Sequence, residues 1–173
     1  MSLHTGTHVD MPCHFFDGAQ TVKDFPAGFW FFEKPLFLSI SPESEVINHE
    51  LISVLTGIDN KASYDCIIVK TGFDRYNSEE LMKNPGFHAD TANFMRDNFA
   101  NVRLFGFDSI SVSSFAAREA GREAHKAFLN PDRPIVLLED MNLKDTDRIS
   151  RLCVMPLMVE NADGLPATVI GEI

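Results

Sequence analysis

The chain has 173 residues, of which 45% are hydrophobic and 23% are charged, and its formal net charge at pH 7 is −10. This size and composition are typical of one globular domain, and we expect residues 1–173 to form it. The negative charge repels phosphate backbones and argues against nucleic acid as a partner. No apolar run is long enough for a membrane span and no export signal opens the chain, so a cytoplasmic location is expected.

The first element is a run of metal-binding residue types at 4–14, H-T-G-T-H-V-D-M-P-C-H. Imidazole nitrogens together with a carboxylate oxygen suit zinc, manganese or iron. On a helix, His4 and His8 would share a face, but Asp10 would point away from them. In an extended chain, His8 and Asp10 point to one side, whereas His4 lies too far from His8 to share an ion. We therefore predict a strand carrying His8 and Asp10, with a bend at Gly6 that folds His4 back.

Aromatic residues are concentrated in the segment that follows the opening motif. Two interpretations of this cluster stay open: its rings pack beneath a loop, or they form an aromatic wall that faces a substrate. The cluster consists of Phe25, Phe29, Trp30, Phe31, Phe32 and Phe37.

Short apolar runs then alternate with helix-like segments along the chain, which indicates an α/β fold with a mixed sheet. The predicted strands are 36–40, 66–71, 102–107, 135–139, 153–159 and 167–173. The predicted helices are 49–55, 90–98 and 115–129, and the last is the strongest because it is rich in Ala, Glu, Arg and Lys. We expect Asp90 to cap the second helix, and Ser113 or Ser114 to cap the third.

The opening motif resembles the H-x-G-T-H-x-D-x-P-x-H signature of a cyclase family that includes kynurenine formamidases and isatin hydrolases. The likeness continues in three later segments, V-K-T-G-F at 69–73, G-F-D-S-I-S at 106–111 and D-G-L-P-A at 163–167. The resemblance implies the cyclase-like, swivelling β/β/α type of α/β fold. That fold is a single domain with a mixed, partly barrel-like β-sheet and flanking helices.

The resemblance also implies a set of site residues. In the family's pattern, His4, His8 and Asp10 correspond to metal ligands, and His14 is either a ligand of a second ion or an acid/base group. A later histidine and glutamate of the family correspond to His125 in the strongest predicted helix and Glu139 at the end of a predicted strand. The implied metal set is His4, His8, Asp10, His14, His125 and Glu139, with His14 and Glu139 as the catalytic proton carriers.

The resemblance implies a metal-dependent amidohydrolase acting on C–N bonds with one or two divalent ions, zinc or manganese. Its metal-activated water would cleave a small amide that is linear, as in the substrate of an arylformamidase, or cyclic, as in isatin. Two alternatives are kept. One is a metal-dependent cyclase or lyase, and the other is a truncated, inactive metal-binding paralogue.

Few residues precede His4, whereas members of the resembled family carry a longer segment before the motif. The resemblance therefore implies that this chain lacks the family's N-terminal segment. An uncovered sheet edge would recruit another copy, so we expect a homodimer or homotetramer with contacts near the motif. A ligand so close to a terminus is prone to fraying, so we expect the metal site to be partly empty or distorted at His4.

Overall fold

The structure, a computed structural model, describes residues 3–73 and 81–173. These residues form ten strands and three α-helices. The strands are β1 (His8–Asp10), β2 (Phe31–Phe32), β3 (Pro35–Ser39), β4 (Val46–Ile47), β5 (Cys66–Lys70), β6 (Gly86–Phe87), β7 (Leu104–Phe107), β8 (Val136–Glu139), β9 (Arg151–Pro156) and β10 (Gly164–Glu172). The helices are α1 (His49–Thr56), α2 (Ala89–Asn98) and α3 (Arg118–Phe128).

Eight strands form one mixed sheet in the order β2-β9-β10-β1-β8-β7-β5-β3, while β4 and β6 pair separately. In this sheet β3, β5, β7 and β8 run parallel to one another. From β8 through β1, β10 and β9 to β2, each strand is antiparallel to its neighbour. The N-terminal strand β1 is therefore an interior strand. Both of its neighbours, β8 and β10, come from late in the chain.

The central strands are buried on both faces, which explains why they read as continuous apolar runs. On β5, Ile67 and Val69 join the core beneath the three helices, called here the helix-side core. Cys66 and Ile68 point the opposite way, into a second core that also contains Leu165 of β10, called here the barrel-side core. Because strands from both ends of the sheet order share this second core, the sheet curls around it. The predicted α/β fold with a mixed, partly barrel-like sheet is confirmed.

All six predicted strands and all three predicted helices are present, with ends that shift by a few residues. The last strand begins at Gly164, inside the predicted turn, because Gly164 pairs with Asp10 of β1. Tertiary pairing therefore extends this strand beyond its local pattern. Within the described ranges, no helix is both long and apolar enough to cross a bilayer.

Both predicted helix caps differ from the structure. Helix α2 begins after His88, whose Nδ1 accepts a hydrogen bond from the backbone N–H of Asp90 at 3.2 Å. Asp90 therefore lies in the first turn instead of at the cap. Helix α3 begins after Ala117 without a side-chain cap. Ser113 and Ser114 belong to the preceding loop, which is held by contacts with other parts of the fold.

Two arginines join the C-terminal ends of α2 and α3, where helix carbonyls lack partners within the helix. Arg133 donates to the carbonyls of Arg96, Phe99 and Ala100 at 2.7, 2.9 and 2.6 Å. Arg96 in turn donates to the carbonyl of Arg133 at 3.3 Å, and to the carbonyls of Ala127 and, at 3.5 Å, Phe128 at the end of α3. A positive charge at a helix C-terminus is favourable, so this pair stabilises the packing of the two helices.

We expect Arg133→Ala to lower the free energy of unfolding by about 1–3 kcal/mol, because it removes three charge-assisted hydrogen bonds to carbonyls at and just beyond the end of α2. Urea unfolding followed by circular dichroism measures the change. Arg122→Ala, which truncates an exposed arginine on α3, is the control and should leave stability nearly unchanged. Equal stability of the two variants would contradict the capping role of Arg133.

Candidate metal centre

One face of the sheet, the face toward the helices, carries the side chains of the predicted site. On β1, His8 and Asp10 flank Val9, and Val9 points into the barrel-side core. Because side chains alternate along a strand, His8 and Asp10 share the opposite face. On β8, Glu139 lies directly across from His8 and presents its carboxylate to the same face.

A bend at Gly6 returns His4 to this face, as predicted. Gly6 has φ +64°, a left-handed conformation that glycine adopts without strain. As a result, His4 Nδ1 lies 2.8 Å from Asp10 Oδ1. The His4 ring rests on Gly164, where a Cβ atom would stand only 2.3 Å from His4 Cε1. Glycine at 164 is therefore needed for His4 to occupy this place.

The imidazole and carboxylate atoms of the centre converge at spacings that suit a shared ion. His8 Nε2 lies 3.4 Å from Asp10 Oδ1 and 3.5 Å from Glu139 Oε2. His125 Nε2, from α3, lies 3.5 Å from Asp10 Oδ2 and 3.8 Å from Glu139 Oε1. Ligand atoms about 2.0–2.2 Å from one zinc ion stand roughly 3–3.5 Å from one another. The observed separations are close to that spacing.

Backbone carbonyls determine which nitrogen of each imidazole faces the carboxylates. The carbonyl of Gly6 lies 2.7 Å from His8 Nδ1, and that of Gly121 lies 2.8 Å from His125 Nδ1. A carbonyl oxygen only accepts, so Nδ1 of each ring is the donor. In the neutral ring, Nε2 then carries the lone pair, which is the form that binds a metal.

Burial of two carboxylates makes the centre demand positive charge. Asp10 and Glu139 are only 1% and 2% exposed. Burial alone would raise the pKa of Asp10, but its contacts with His125, His4 and His8 hold that pKa well below its usual range. Burial alone would lower the pKa of His8, yet contacts with Asp10 and Glu139 raise it to about 10.

One oxygen of the centre provides a direct test of whether a cation fits. Asp10 Oδ1 is buried, and although His4 Nδ1 and His8 Nε2 lie 2.8 and 3.4 Å from it, none of the described residues directs a well-aligned hydrogen bond at it. A buried carboxylate oxygen without a hydrogen bond is costly, and a bound cation would satisfy it. The donor set of imidazoles and carboxylates therefore fits a divalent ion.

A second cluster of polar side chains lies next to these ligands, at the more exposed side of the site. Asp163 Oδ2 lies 2.8 Å from His14 Nδ1, and Asp163 Oδ1 lies 3.3 Å from His4 Nε2. Asp163 was not among the predicted site residues, because the local sequence at 163 and 164 indicates only a turn. Its place follows from the pairing of Gly164 with Asp10, which brings the residue before Gly164 beside the opening motif.

The structure brings all six residues implied by the resemblance into one cluster. Potential ligand atoms lie within 4.8 Å of one another in three overlapping groups. These groups are His4, His8 and Asp10; His4, His14 and Asp163; and Asp10, His14 and His125. Glu139 completes the cluster through its contacts with His8 and His125.

Packing explains most of the aromatic cluster between 25 and 37. Trp30 and Phe32 are buried in the barrel-side core, and Arg103 lies over the ring of Phe32 at 4.4 Å. The aromatic side chain beside the metal centre is instead Phe15. Its ring stacks on His125 with centroids 4.7 Å apart and meets the edge of His14 at 4.8 Å.

Comparison with known proteins agrees with this geometry. Residues 1–114 match the model of the family described as "Putative cyclase". The chain belongs to this family. A cyclase relative from rice, cyclase-like protein 2, is 28% identical over 179 residues, covering 98% of this chain and 62% of the rice protein. A kynurenine formamidase from Bacillus cereus is 28% identical over 172 residues, covering 98% of this chain and 76% of the bacterial protein.

Solved structures of cyclase-like proteins share the fold. Isatin hydrolase A from Labrenzia aggregata matches with a TM-score of 0.79 at 19% identity, covering 99% of this chain and 75% of that chain. A protein described as a potential metal-dependent hydrolase with cyclase activity matches with a TM-score of 0.75 at 20% identity, covering 99% and 79% of the two chains. The match over nearly the whole chain confirms the cyclase-like fold inferred from the motifs.

We expect Gly164→Ala to displace the His4 ring and to weaken binding of a divalent ion by about tenfold or more, a loss typical when a metal site is misaligned. Competition with a chromophoric chelator measures the affinity. The control is Gly28→Ala, since a Cβ at Gly28 meets nothing within 4 Å and Gly28 lies away from the site. Unchanged affinity in a folded Gly164→Ala protein would show that His4 is not a ligand.

Proposed function

We propose that this chain is a metal-dependent hydrolase that cleaves the C–N bond of a small amide. The observation that carries the proposal is the buried convergence of His8, Asp10, His125 and Glu139, with His4 folded back beside them. Relatives named kynurenine formamidase and isatin hydrolase, both amide hydrolases, support it. The substrates we propose are an N-formyl aromatic amine or a cyclic amide of the isatin type.

The residues that would hold the ion are His4, His8 and Asp10, together with His125 and Glu139. Nitrogen ligands mixed with carboxylates suit zinc or manganese. When bound, such an ion lowers the pKa of water and polarises the scissile carbonyl. Glu139 is buried and accepts a hydrogen bond from the backbone N–H of Val112 at 2.8 Å, which favours a fixed, ion-facing carboxylate over a mobile proton carrier.

We assign the proton transfer to His14. Asp163 lies 2.8 Å from His14 Nδ1 and favours the donor form of that nitrogen, which leaves Nε2 to accept a proton. The water oxygen bonds to the carbonyl carbon as its proton passes to Nε2. The C–N bond then breaks, and His14 returns the proton to the departing nitrogen. With a second ion at His4, His14 and Asp163, these side chains would be ligands instead, so the number of ions per chain decides the role of His14.

We expect His8→Ala and Asp10→Ala each to abolish metal-dependent hydrolysis, because each removes a ligand while the sheet pairing of β1 uses only backbone. Turnover of N-formylkynurenine and isatin is measured alongside metal content by plasma mass spectrometry. His49→Ala, at an exposed histidine of α1, should retain full activity. Release of formate or a ring-opened carboxylate identifies a hydrolase, whereas a lyase or cyclase would release neither.

We also propose that the protein is a homodimer or homotetramer. Since β1 is an interior strand, the described sheet has its edges at β2 and β3 instead of beside the opening motif. Apolar side chains are exposed on one face near the β2 edge, where Phe31 is 56%, Met155 44% and Ile170 58% exposed. Phe31 pairs with Cys153 and Cys153 with Ile170, so these side chains share a face. Covering such a face is the usual role of a protein partner.

Light scattering coupled to size exclusion should give a mass of two or four chains. Ile170→Lys should shift that mass towards one chain, because it places a charge in the apolar face. Arg122→Lys, at an exposed site on α3, is the control and should leave the mass unchanged. A monomeric wild-type protein at micromolar concentration would contradict the oligomer.

A further inference from the structure

A fully buried asparagine outside the metal centre holds the loop between β7 and α3. Asn84 is 0% exposed. Its Oδ1 accepts a hydrogen bond from the N–H of Ile110 at 2.7 Å. Its Nδ2 donates toward the carbonyls of Ser113 at 3.1 Å and Ser111 at 3.4 Å, and also toward that of Pro85 at 3.3 Å. One side chain thus bonds backbone groups of three of the four loop residues, Ile110, Ser111 and Ser113.

The same short loop contacts the metal centre from its other side. The N–H of Val112 donates to Glu139 Oε1 at 2.8 Å. Ser113 Oγ lies 3.4 Å from His125 Nδ1. The loop therefore connects Asn84 with two of the residues that would hold the ion, although Asn84 itself touches neither.

The loop at 110–113 is packed tightly between β6 and α3. A Cβ atom at Gly86 would approach the backbone nitrogen of Ser114 to 2.3 Å, and one at Gly121 would approach Ser113 Oγ to 2.1 Å. The N–H of Phe87 also donates to the carbonyl of Val112 at 2.8 Å. Both glycines permit the contact, and the backbone hydrogen bond sets its register.

We propose that Asn84 is a positioning residue of the metal centre. By holding residues 110–113, its amide aims the N–H of Val112 at Glu139 and keeps Ser113 beside His125. A carboxylate that must face an ion needs its second oxygen held, and the Val112 N–H does this for Glu139. The part of the inference that concerns metal affinity rests on the proposed function, whereas the part that concerns the loop does not.

Asn84→Asp tests the proposal with nearly the same shape. It replaces the N–H donors with an oxygen that would face the carbonyls of Ser111 and Ser113, so the loop should detach. The measured quantity is the rate of hydrogen–deuterium exchange at the amides of Ile110 and Val112, each divided by the rate at Ile68 in β5. In the metal-free variant we expect this exchange ratio to be at least about tenfold higher than in the metal-free wild type. We expect zinc affinity, measured by chelator competition, to fall by about tenfold to a hundredfold.

Two further variants separate positioning from general destabilisation. Leu55→Ala opens a cavity in the helix-side core at α1 and should lower the unfolding midpoint. It should leave zinc affinity and the Val112-to-Ile68 exchange ratio unchanged. If the buried carboxylate prevents folding, Asn84→Ala takes its place, since it removes the same hydrogen bonds without adding charge.

Failure of the positioning role of Asn84 and failure of the proposed metal-dependent function give different results. If wild-type protein binds no zinc or manganese, the metal-dependent hydrolase is refuted, and the exchange ratio still decides whether Asn84 holds the loop. An unchanged exchange ratio at Val112 in a folded Asn84 variant overturns the positioning role. The positioning role is also overturned if zinc affinity is unchanged in a variant whose loop amides exchange faster.

Discussion

The burial of two carboxylates on adjacent strands is the constraint from which the rest of the site follows. Asp10 and Glu139 lie on the same face of β1 and β8, nearly inaccessible to water. An uncompensated buried charge costs several kcal/mol or more, so such a pair exists only where positive charge is held against it. The bend at Gly6 supplies His4, and α3 supplies His125. A divalent ion would complete the compensation and orient a substrate at the same point.

The site's geometry near the opening motif could be predicted from local rules. Strand alternation places His8 and Asp10 on one face, and the distance limit on an extended chain requires a bend before His4, which Gly6 provides. The central strands could also be recognised, because their burial on both faces leaves uninterrupted apolar runs. These features depend on residues that are neighbours in sequence.

The parts that could not be predicted depend on residues far apart in the chain. Asp163 lies beside His14 only because β10 pairs with β1, and a turn sequence carries no sign of that pairing. Asn84 looks like an ordinary residue before a proline, yet its amide is used by a loop that follows much later. The predicted serine caps of α3 were wrong for a related reason. Their loop is fixed by Asn84 and Glu139, so the helix begins after it.

The interior position of β1 also bears on the order in which the chain folds. This strand precedes the other described strands in the sequence, but both its neighbours, β8 and β10, lie more than 120 residues further along the chain. Pairings between such distant segments close large loops and form slowly. The edge of β1 that faces β10 therefore stays unpaired until that strand is available, even after β8 has paired with the other edge. The cell would capture its ion late, as one of the final events in maturation of the protein.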